Sequence, residues 1–470
     1  MEKGGISSNL RVLFKPASVA VIGASENEEK LGFHVMKGLT TGNFGGKIIP
    51  VNPKSKEVMG IRSYSSVAEF EGPIDLAVVV VPAPLVQGIF EECIRKDIKG
   101  IVLITAGFKE SDDPQSAKSQ DRLADLMGRA GIPVIGPNTF GVVNLHQNLN
   151  ASFTPELSLL RKGGVALVSQ SGGISHLMAF MAMKLQIPIS KVIGLGNRLN
   201  IDFAETVAYL MEDPDTRVIV LYLEGLDDPR GLMKISRENL GKKPLIAYKG
   251  GSAKMADQIS LSHTGSMAGK NEIYEGALRQ SGILVLHTME ALLDLARALF
   301  SCPLPRGNRV GILSAQAGPG MVACDVCERE GLEMARFSDQ THRVINEILP
   351  PIVHRSNPVD MGPVFSDPAS TEAIIGAVLK DENVDGIVLI TLFASANREV
   401  LGGLGDLILE WKQQKPVIAS LISPPGIWDE QIDFLEEAEA LANFPTPERA
   451  ARVMAHLWQY KNIKDRMENG

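Results

Sequence analysis

A single histidine stands in the stretch ISLSHTGSMAG, residues 259 to 269, among serines, a threonine and glycines that neither pack a core nor favour a helix. His263 follows the apolar run PLIAYKGG and is flanked by Ser262, Thr264, Gly265 and Ser266. Its loop therefore offers several N–H and hydroxyl donors and little bulk. Phosphate suits such a loop, and a neutral imidazole is nucleophilic near neutral pH when its second nitrogen is held by an acceptor. The candidate acceptor is Glu224 in VIVLYLEG, because a carboxylate closing an apolar strand is costly unless it is exposed or paired. The competing structural reading makes His263 a connector residue and Glu224 a solvent-facing strand end.

Three loops of small residues recur at nearly equal spacing: GAS at residues 23 to 25, SQSGG at 169 to 173 and SAQAGPG at 314 to 320. Each follows an apolar run. In an open parallel sheet that place is the carboxyl end of a strand, where a helix N-terminus points free N–H groups at anions. Glycine also lets any strand turn tightly into a helix, which is the structural alternative. A carboxylate closing the second strand and a G-x-G-x-x-G loop would mark a nicotinamide cofactor. The chain has GASENEEKLG and PVNPKSK instead. Lys54 at that strand end suits a nucleotide carrying an extra ribose phosphate, as NADP and coenzyme A both do.

The elements that must position these residues alternate along the chain. SVAVIG, GKIIPV, DLAVVVV, GIVLI and IPVIG form a first set of strands, and GVALVS, KVIGLG, RVIVLYL, KPLIAY and GILVL a second. RVGILS, GLEMAR, DGIVLITL and KPVIASL are the clear members of a third. Helical patterns separate them, the mark of parallel sheets covered on both faces. The fold class is α/β: three successive doubly wound, Rossmann-like or flavodoxin-like, parallel-sheet domains over residues 1–143, 144–300 and 301–470. The boundaries lie in a polar, irregular stretch at 144 to 163 and in the connector SCPLPRGN.

Composition narrows the partners. The chain has 470 residues, 44% apolar and 22% charged, with a net charge of -8, so neither nucleic acid nor an anionic membrane is a general partner. Four scattered cysteines point to a reducing compartment, and the Cys324–Cys327 pair reads as core packing on a helix rather than a metal site. MEKGGISSNLRVLF lacks a signal-peptide core, and LAVVVVPAPLV is broken by prolines short of a membrane span. A cytoplasmic location is expected.

Taken in order, VIGAS, VNPK, VVVPAP, ITAGF and GPNTFG resemble the coenzyme A binding domain of the NDP-forming acyl-CoA synthetases, the superfamily that includes the succinyl-CoA synthetase α subunit. LVSQSGG, YLEG and SHTGSMAG carry the resemblance through the second set of strands, and it reaches into the third. The chain is most like the α subunits of ADP-forming acetate-CoA ligases. The resemblance implies coenzyme A contacts at Gly23, Ala24, Ser25, Asn52, Pro53, Lys54, Val81, Pro82, Thr105, Ala106, Gly107 and Asn138. It implies phosphate contacts at Ser171, Gly172, Gly173, Thr264, Gly265 and Ser266, with no metal ligands in this chain. His263 would be a transient phosphoryl carrier and Glu224 its orienting carboxylate, whereas His176 reads as structural.

The reaction so implied converts acyl-CoA, ADP and phosphate to carboxylic acid, ATP and CoA through acyl phosphate and phosphohistidine, reversibly. The chain contains no P-loop. Mg²⁺ and ADP or ATP would therefore sit mainly on a separate β subunit with an ATP-grasp domain, in an α2β2 heterotetramer. A CoA-sensing regulatory protein of the same fold, without turnover, is the alternative, and NADP-dependent reduction is disfavoured by the loop chemistry.

Overall fold

The computed structural model describes residues 10 to 251 and 271 to 468. The chain divides into two units, Met1–Leu293 and Asp294–Gly470.

The first unit holds two sheets. Its leading strands are β1 (Ser18–Ile22) and β2 (Lys47–Val51), a ribbon of β3 (Glu57–Val58) and β4 (Ile61–Arg62), then β5 (Leu76–Val79), β6 (Gly100–Leu103) and β7 (Val134–Ile135). The sheet runs β2-β1-β5-β6-β7 with every neighbour parallel. Helices α1 (Arg11–Phe14), α2 (Leu31–Thr41), α3 (Val86–Arg95) and α4 (Pro114–Ala130) connect it. Strands β1, β5 and β6 are buried along their whole length, as Val- and Ile-rich strands covered on both faces must be.

The second sheet contains β8 (Gly141–Asn144), β9 (Leu149–Ser152), β10 (Lys162–Ser169), β11 (Ile189–Gly194), β12 (Val218–Leu223), β13 (Leu245–Lys249) and β14 (Leu284–Leu286), with helices α5 (Gly172–Lys184), α6 (Phe203–Glu212) and α7 (Pro229–Glu238). Its order is β14-β13-β12-β10-β11-β8-β9, parallel from β14 to β11. The β8–β9 hairpin joins the edge antiparallel through β11.

The second unit holds β15 (Arg309–Ser314), β16 (Glu333–Met334), β17 (Val359–Asp360), β18 (Gly386–Leu392), β19 (Val417–Ile422) and β20 (Ala442–Asn443). The parallel order is β16-β15-β18-β19-β20, with β17 also paired to β15. Setting the short β3–β4 ribbon, the β8–β9 hairpin and β17 aside, each sheet places its second strand outside the first and its third inside. Every sheet therefore has a topological switch point beside its first strand. The mostly parallel, helix-covered sheets are the α/β class expected, and every strand named from the sequence is present.

The stretch from 144 to 163 differs from its expected irregularity, for it supplies β9. Its polar residues looked like a loop because they are satisfied inside the protein. Asn150 Nδ2 donates to the carbonyls of Thr154 and Pro155 and to Ser158 Oγ, and Ser152 Oγ donates to Asn150 Oδ1. Asn144 Nδ2 donates to the Phe14 carbonyl at 2.9 Å. Gly141, with φ +115°, lets the hairpin close, since a Cβ there would stand 2.2 Å from the Ala151 oxygen. The Cys324–Cys327 pair sits on the helix Ala317–Arg329 as expected, and burial pushes the Cys327 thiol up to about 12.

One buried ion pair stabilises the second sheet. Lys191 on β11 is fully buried and donates to Asp213, which also receives Thr216 Oγ1 at 2.7 Å and lies 3.3 Å from Lys15 Nζ. Burial opposes ionisation of Asp213, but the bonds from Lys191 and Thr216 outweigh it and hold the carboxyl below its usual range. Lys191→Met strands that carboxylate and is expected to lower unfolding stability by about 3 kcal/mol, the low end of the cost of breaking a buried pair because Lys15 and Thr216 remain. Stability from a depressed carboxyl pKa is present above the unfolded value and lost as pH falls through the folded one. Urea titrations should therefore show the full gap between wild type and variant above about pH 4, narrowing in acid; a gap independent of pH would show that the pair does not act through Asp213.

Candidate functional site

The switch point of the first sheet opens into a cavity of about 720 Å³. Its walls come from the carboxyl ends of β1, β2 and β5: Ile22 to Ser25, Val51 to Lys54 and Val80 to Pro82, closed by Thr105 and Ala106 after β6. Two backbone approaches make the narrow floor. Gly23 has φ +98° and a Cβ there would meet the Val80 oxygen at 2.4 Å; a Cβ on Gly32, in the first turn of α2, would meet the Gly23 oxygen at 2.0 Å. Only glycine permits both. Asn52 Nδ2 donates to the Ala24 carbonyl at 2.7 Å and Thr105 Oγ1 to the Val81 carbonyl at 2.7 Å, which locks neighbouring strand ends together. Lys54 and Lys30 are exposed cations on the lining.

The second sheet has its own cavity of about 470 Å³, lined by the end of β10 and the start of α5 at Gln170, Ser171, Gly172 and Gly173. Asn138, Thr139, Phe140, Phe153, Gly196 and Asn197 face these residues, and Leu31, Thr105 and Ala106 line this cavity as well as the first. The two spaces thus share a wall. Ser171 caps α5, its hydroxyl accepting from the Ile174 N–H at 3.5 Å. Among the described residues, apart from the helix's own backbone and chain neighbours, nothing lies within 4 Å of where a Cβ on Gly172 or Gly173 would be, which leaves room at the first turn of α5, where the helix dipole favours an anion. Glu110 braces the far side: its carboxylate accepts from the N–H groups of Gly107 at 2.5 Å and Phe108 at 3.2 Å and from Asn197 Nδ2 at 2.5 Å.

Glu224 follows β12, across the switch point from Gln170. Its backbone N–H and that of Gly225 both donate to Gln170 Oε1, at 3.2 and 3.4 Å. Its own Oε2 is buried and has no hydrogen-bond partner among the described residues. Burial, then the Glu224 carboxylate beside it, pushes the Tyr222 phenol up, so that group stays protonated.

Ten of the residues named from the sequence, Gly23, Ala24, Ser25, Asn52, Pro53, Lys54, Val81, Pro82, Thr105 and Ala106, line the first cavity. Asn138 lines the second, with Ser171, Gly172 and Gly173. Gly107, with φ +101°, lines neither and serves the turn held by Glu110. His263, Thr264, Gly265 and Ser266 lie outside the described residues. His176 is structural: its Nε2 pairs with Thr154 Oγ1 at 2.6 Å, its Nδ1 with the Gly172 oxygen at 2.9 Å, and its ring lies against Phe140, Phe153 and Phe180. Sequence reasoning missed Lys30, Leu31 and Gly32 at the start of α2, although all three lie within GASENEEKLG. It also missed Phe140 and Phe153, which arrive from the hairpin region rather than from a parallel strand end.

The family profile described as CoA binding domain matches residues 17–144, and the one described as succinyl-CoA ligase like flavodoxin domain matches 162–299. The chain is 37% identical over 97% of its length to the acetate-CoA ligase [ADP-forming] II subunit alpha of Pyrococcus furiosus, covering 98% of that protein. It is 35% identical to the acetate-CoA ligase [ADP-forming] of Methanocaldococcus jannaschii and spans 64% of that longer relative. Among solved structures it is similar to the dinucleotide forming acetyl-coenzyme A synthetase 1 of Ca. Korarchaeum cryptofilum in complex with phosphate and ADP, with TM-score 0.90, 31% identity and 98% of each chain covered.

The cap at Ser171 gives a direct test of how α5 begins. Ser171→Ala should cost about 1 kcal/mol of unfolding stability, and Ser171→Asp should restore it by accepting the same N–H beside the positive helix end. Urea midpoints compare the three; equal stability of the serine and alanine forms would show that the hydroxyl does not hold the turn.

Proposed function

Because the chain belongs to the family of ADP-forming acetate-CoA ligase α subunits, and is a CoA ligase, we propose that acyl-CoA occupies the first cavity and phosphate the second. The observation that carries this reading is the shared wall of Leu31, Thr105 and Ala106. A nucleotide held by the ends of β1, β2 and β5 can reach across that wall only with a thin extension, and the pantetheine arm of coenzyme A is one. Lys30 and Lys54 offer cations to its phosphates. The thioester carbonyl would then lie near the first turn of α5.

In the proposed sequence a phosphate oxygen attacks the thioester carbonyl, the carbon–sulfur bond breaks, and the thiolate leaves to be protonated as free CoA. The products are acyl phosphate and CoA. The imidazole of His263 attacks phosphorus, the bond to the acyl oxygen breaks, and the carboxylate leaves. A terminal phosphate oxygen of ADP then takes the phosphoryl group from the histidine, giving ATP, and each step can reverse. Glu224 holds the imidazole in the orientation that leaves one nitrogen free, and stabilises the cationic phosphohistidine. The N–H groups of α5 offset charge on the phosphoryl oxygens throughout.

The nucleotide is assigned to a partner subunit carrying an ATP-grasp domain, in an α2β2 assembly. Two observations support the division: relatives covered almost end to end are named as alpha subunits, while this chain spans only 64% of the Methanocaldococcus relative. Among the described residues no group of three or more His, Cys, Asp or Glu could hold a metal ion, and Mg²⁺ is assigned to the partner subunit with the nucleotide. Among the described residues no helix is long and apolar enough to cross a membrane.

The purified chain, incubated with acetyl-CoA and radiolabelled phosphate without nucleotide, should acquire an acid-labile, base-stable label. His263→Ala should abolish it, and Glu224→Ala should slow it by about tenfold, as loss of a hydrogen bond to a charged group does, with CoA affinity retained. A label that survives His263→Ala would remove the histidine from the pathway, and a rate unchanged by Glu224→Ala would remove the carboxylate.

A further inference from the structure

We propose that Gln170 is the side-chain donor that fixes one non-bridging phosphoryl oxygen at the start of α5, an inference that rests on the phosphate reading above. Gln170 is only 5% exposed and lines the cavity at the α5 N-terminus. Its amide is oriented by the protein itself. Two backbone N–H groups, of Glu224 and Gly225, converge on one end at 3.2 and 3.4 Å. Only oxygen can accept them, so the NH2 end is the other one.

That Nε2 is buried and has no partner among the described residues. A buried donor left unpaired is costly, and native proteins satisfy nearly all of them. The helix start next to it has room, since among the described residues nothing beyond the helix's own backbone and chain neighbours lies within 4 Å of a Cβ on Gly172 or Gly173. An anion seated there completes both the N–H groups of α5 and the Gln170 amide. The neighbouring Glu224 Oε2, an acceptor without a partner among the described residues, explains why the donor is neutral. A lysine or arginine at 170 would pair with that carboxylate and leave the anion unattended. A neutral amide donates to a phosphoryl oxygen without drawing Glu224 Oε2 into an ion pair. Donor and carboxylate, joined through the Gln170–Glu224 backbone bond, set which side of the phosphoryl group faces the acid.

Gln170→Glu tests this with the full-length chain. A carboxylate keeps an oxygen for the Glu224 and Gly225 N–H groups but replaces the donor with a repelling charge. With acetyl-CoA held constant, the concentration of labelled inorganic phosphate giving half-maximal labelling should rise by about tenfold or more, the worth of a hydrogen bond to a charged group. CoA affinity, measured by calorimetry, should stay within about twofold, because Gln170 does not line the first cavity. An unchanged half-saturating phosphate concentration would make Gln170 a brace for the 224–225 turn and overturn the proposal. If Gln170→Glu loses its folded circular dichroism spectrum, Gln170→Met gives the second reading: the same rise supports the donor role, and wild-type phosphate dependence refutes it. Absence of label on the wild-type chain would instead defeat the phosphate reading itself, which separates the two failures.

Discussion

The pair of hydrogen bonds from the Glu224 and Gly225 N–H groups to Gln170 Oε1 is the contact on which the second cavity depends. It spans the gap where β10 and β12 lie side by side while their connections diverge to opposite faces. At such a gap no helix packs over the strand ends, and polar atoms must find partners across it or in a ligand. One oxygen of Gln170 satisfies two backbone donors there and in doing so aims everything attached to it. The first sheet instead braces the strands on either side of its gap, with Asn52 tying the end of β2 to the Ala24 carbonyl after β1 and Thr105 tying the end of β6 to the Val81 carbonyl after β5. In both sheets a polar side chain ties one strand end to the next beside a cavity.

Much of the fold was legible because parallel strands buried on both faces must be continuous in Val, Ile and Leu, and short sequences of that kind are hard to mistake when glycine punctuates each end. SVAVIG and GVALVS announced β1 and β10, and the loops after them announced the cavities. The hairpin of β8 and β9 was not legible. Asn144, Asn150 and Ser152 are polar by type, yet they are buried because each finds its partner inside the protein. Composition reports what a side chain needs, not where the need is met.

The candidate site was legible to the same degree and for the same reason. Residues contributed by strand ends, such as Asn52, Thr105 and Ser171, carry a signal in their position along an alternating pattern. Residues contributed by a helix start or a hairpin, such as Leu31 and Phe153, reach the cavities only because of how the layers stack, and their neighbours in sequence say nothing of it. Gln170 falls between. It sits inside SQSGG, but only the two N–H groups meeting its oxygen reveal which end of its amide is left without a partner among the described residues.

The antiparallel hairpin that borders the second sheet also bears on how such chains can be cut and recombined. The family profile for the first module ends at 144, yet β8 ends at the same residue and pairs with β11, beyond that limit. A fragment ending there would carry a bare strand with unsatisfied amides, prone to stick to any passing edge, while the remainder would lose the strand bordering β11 and expose a row of its own. A cut that leaves every strand paired therefore falls ahead of Gly141, so that the hairpin stays with β11.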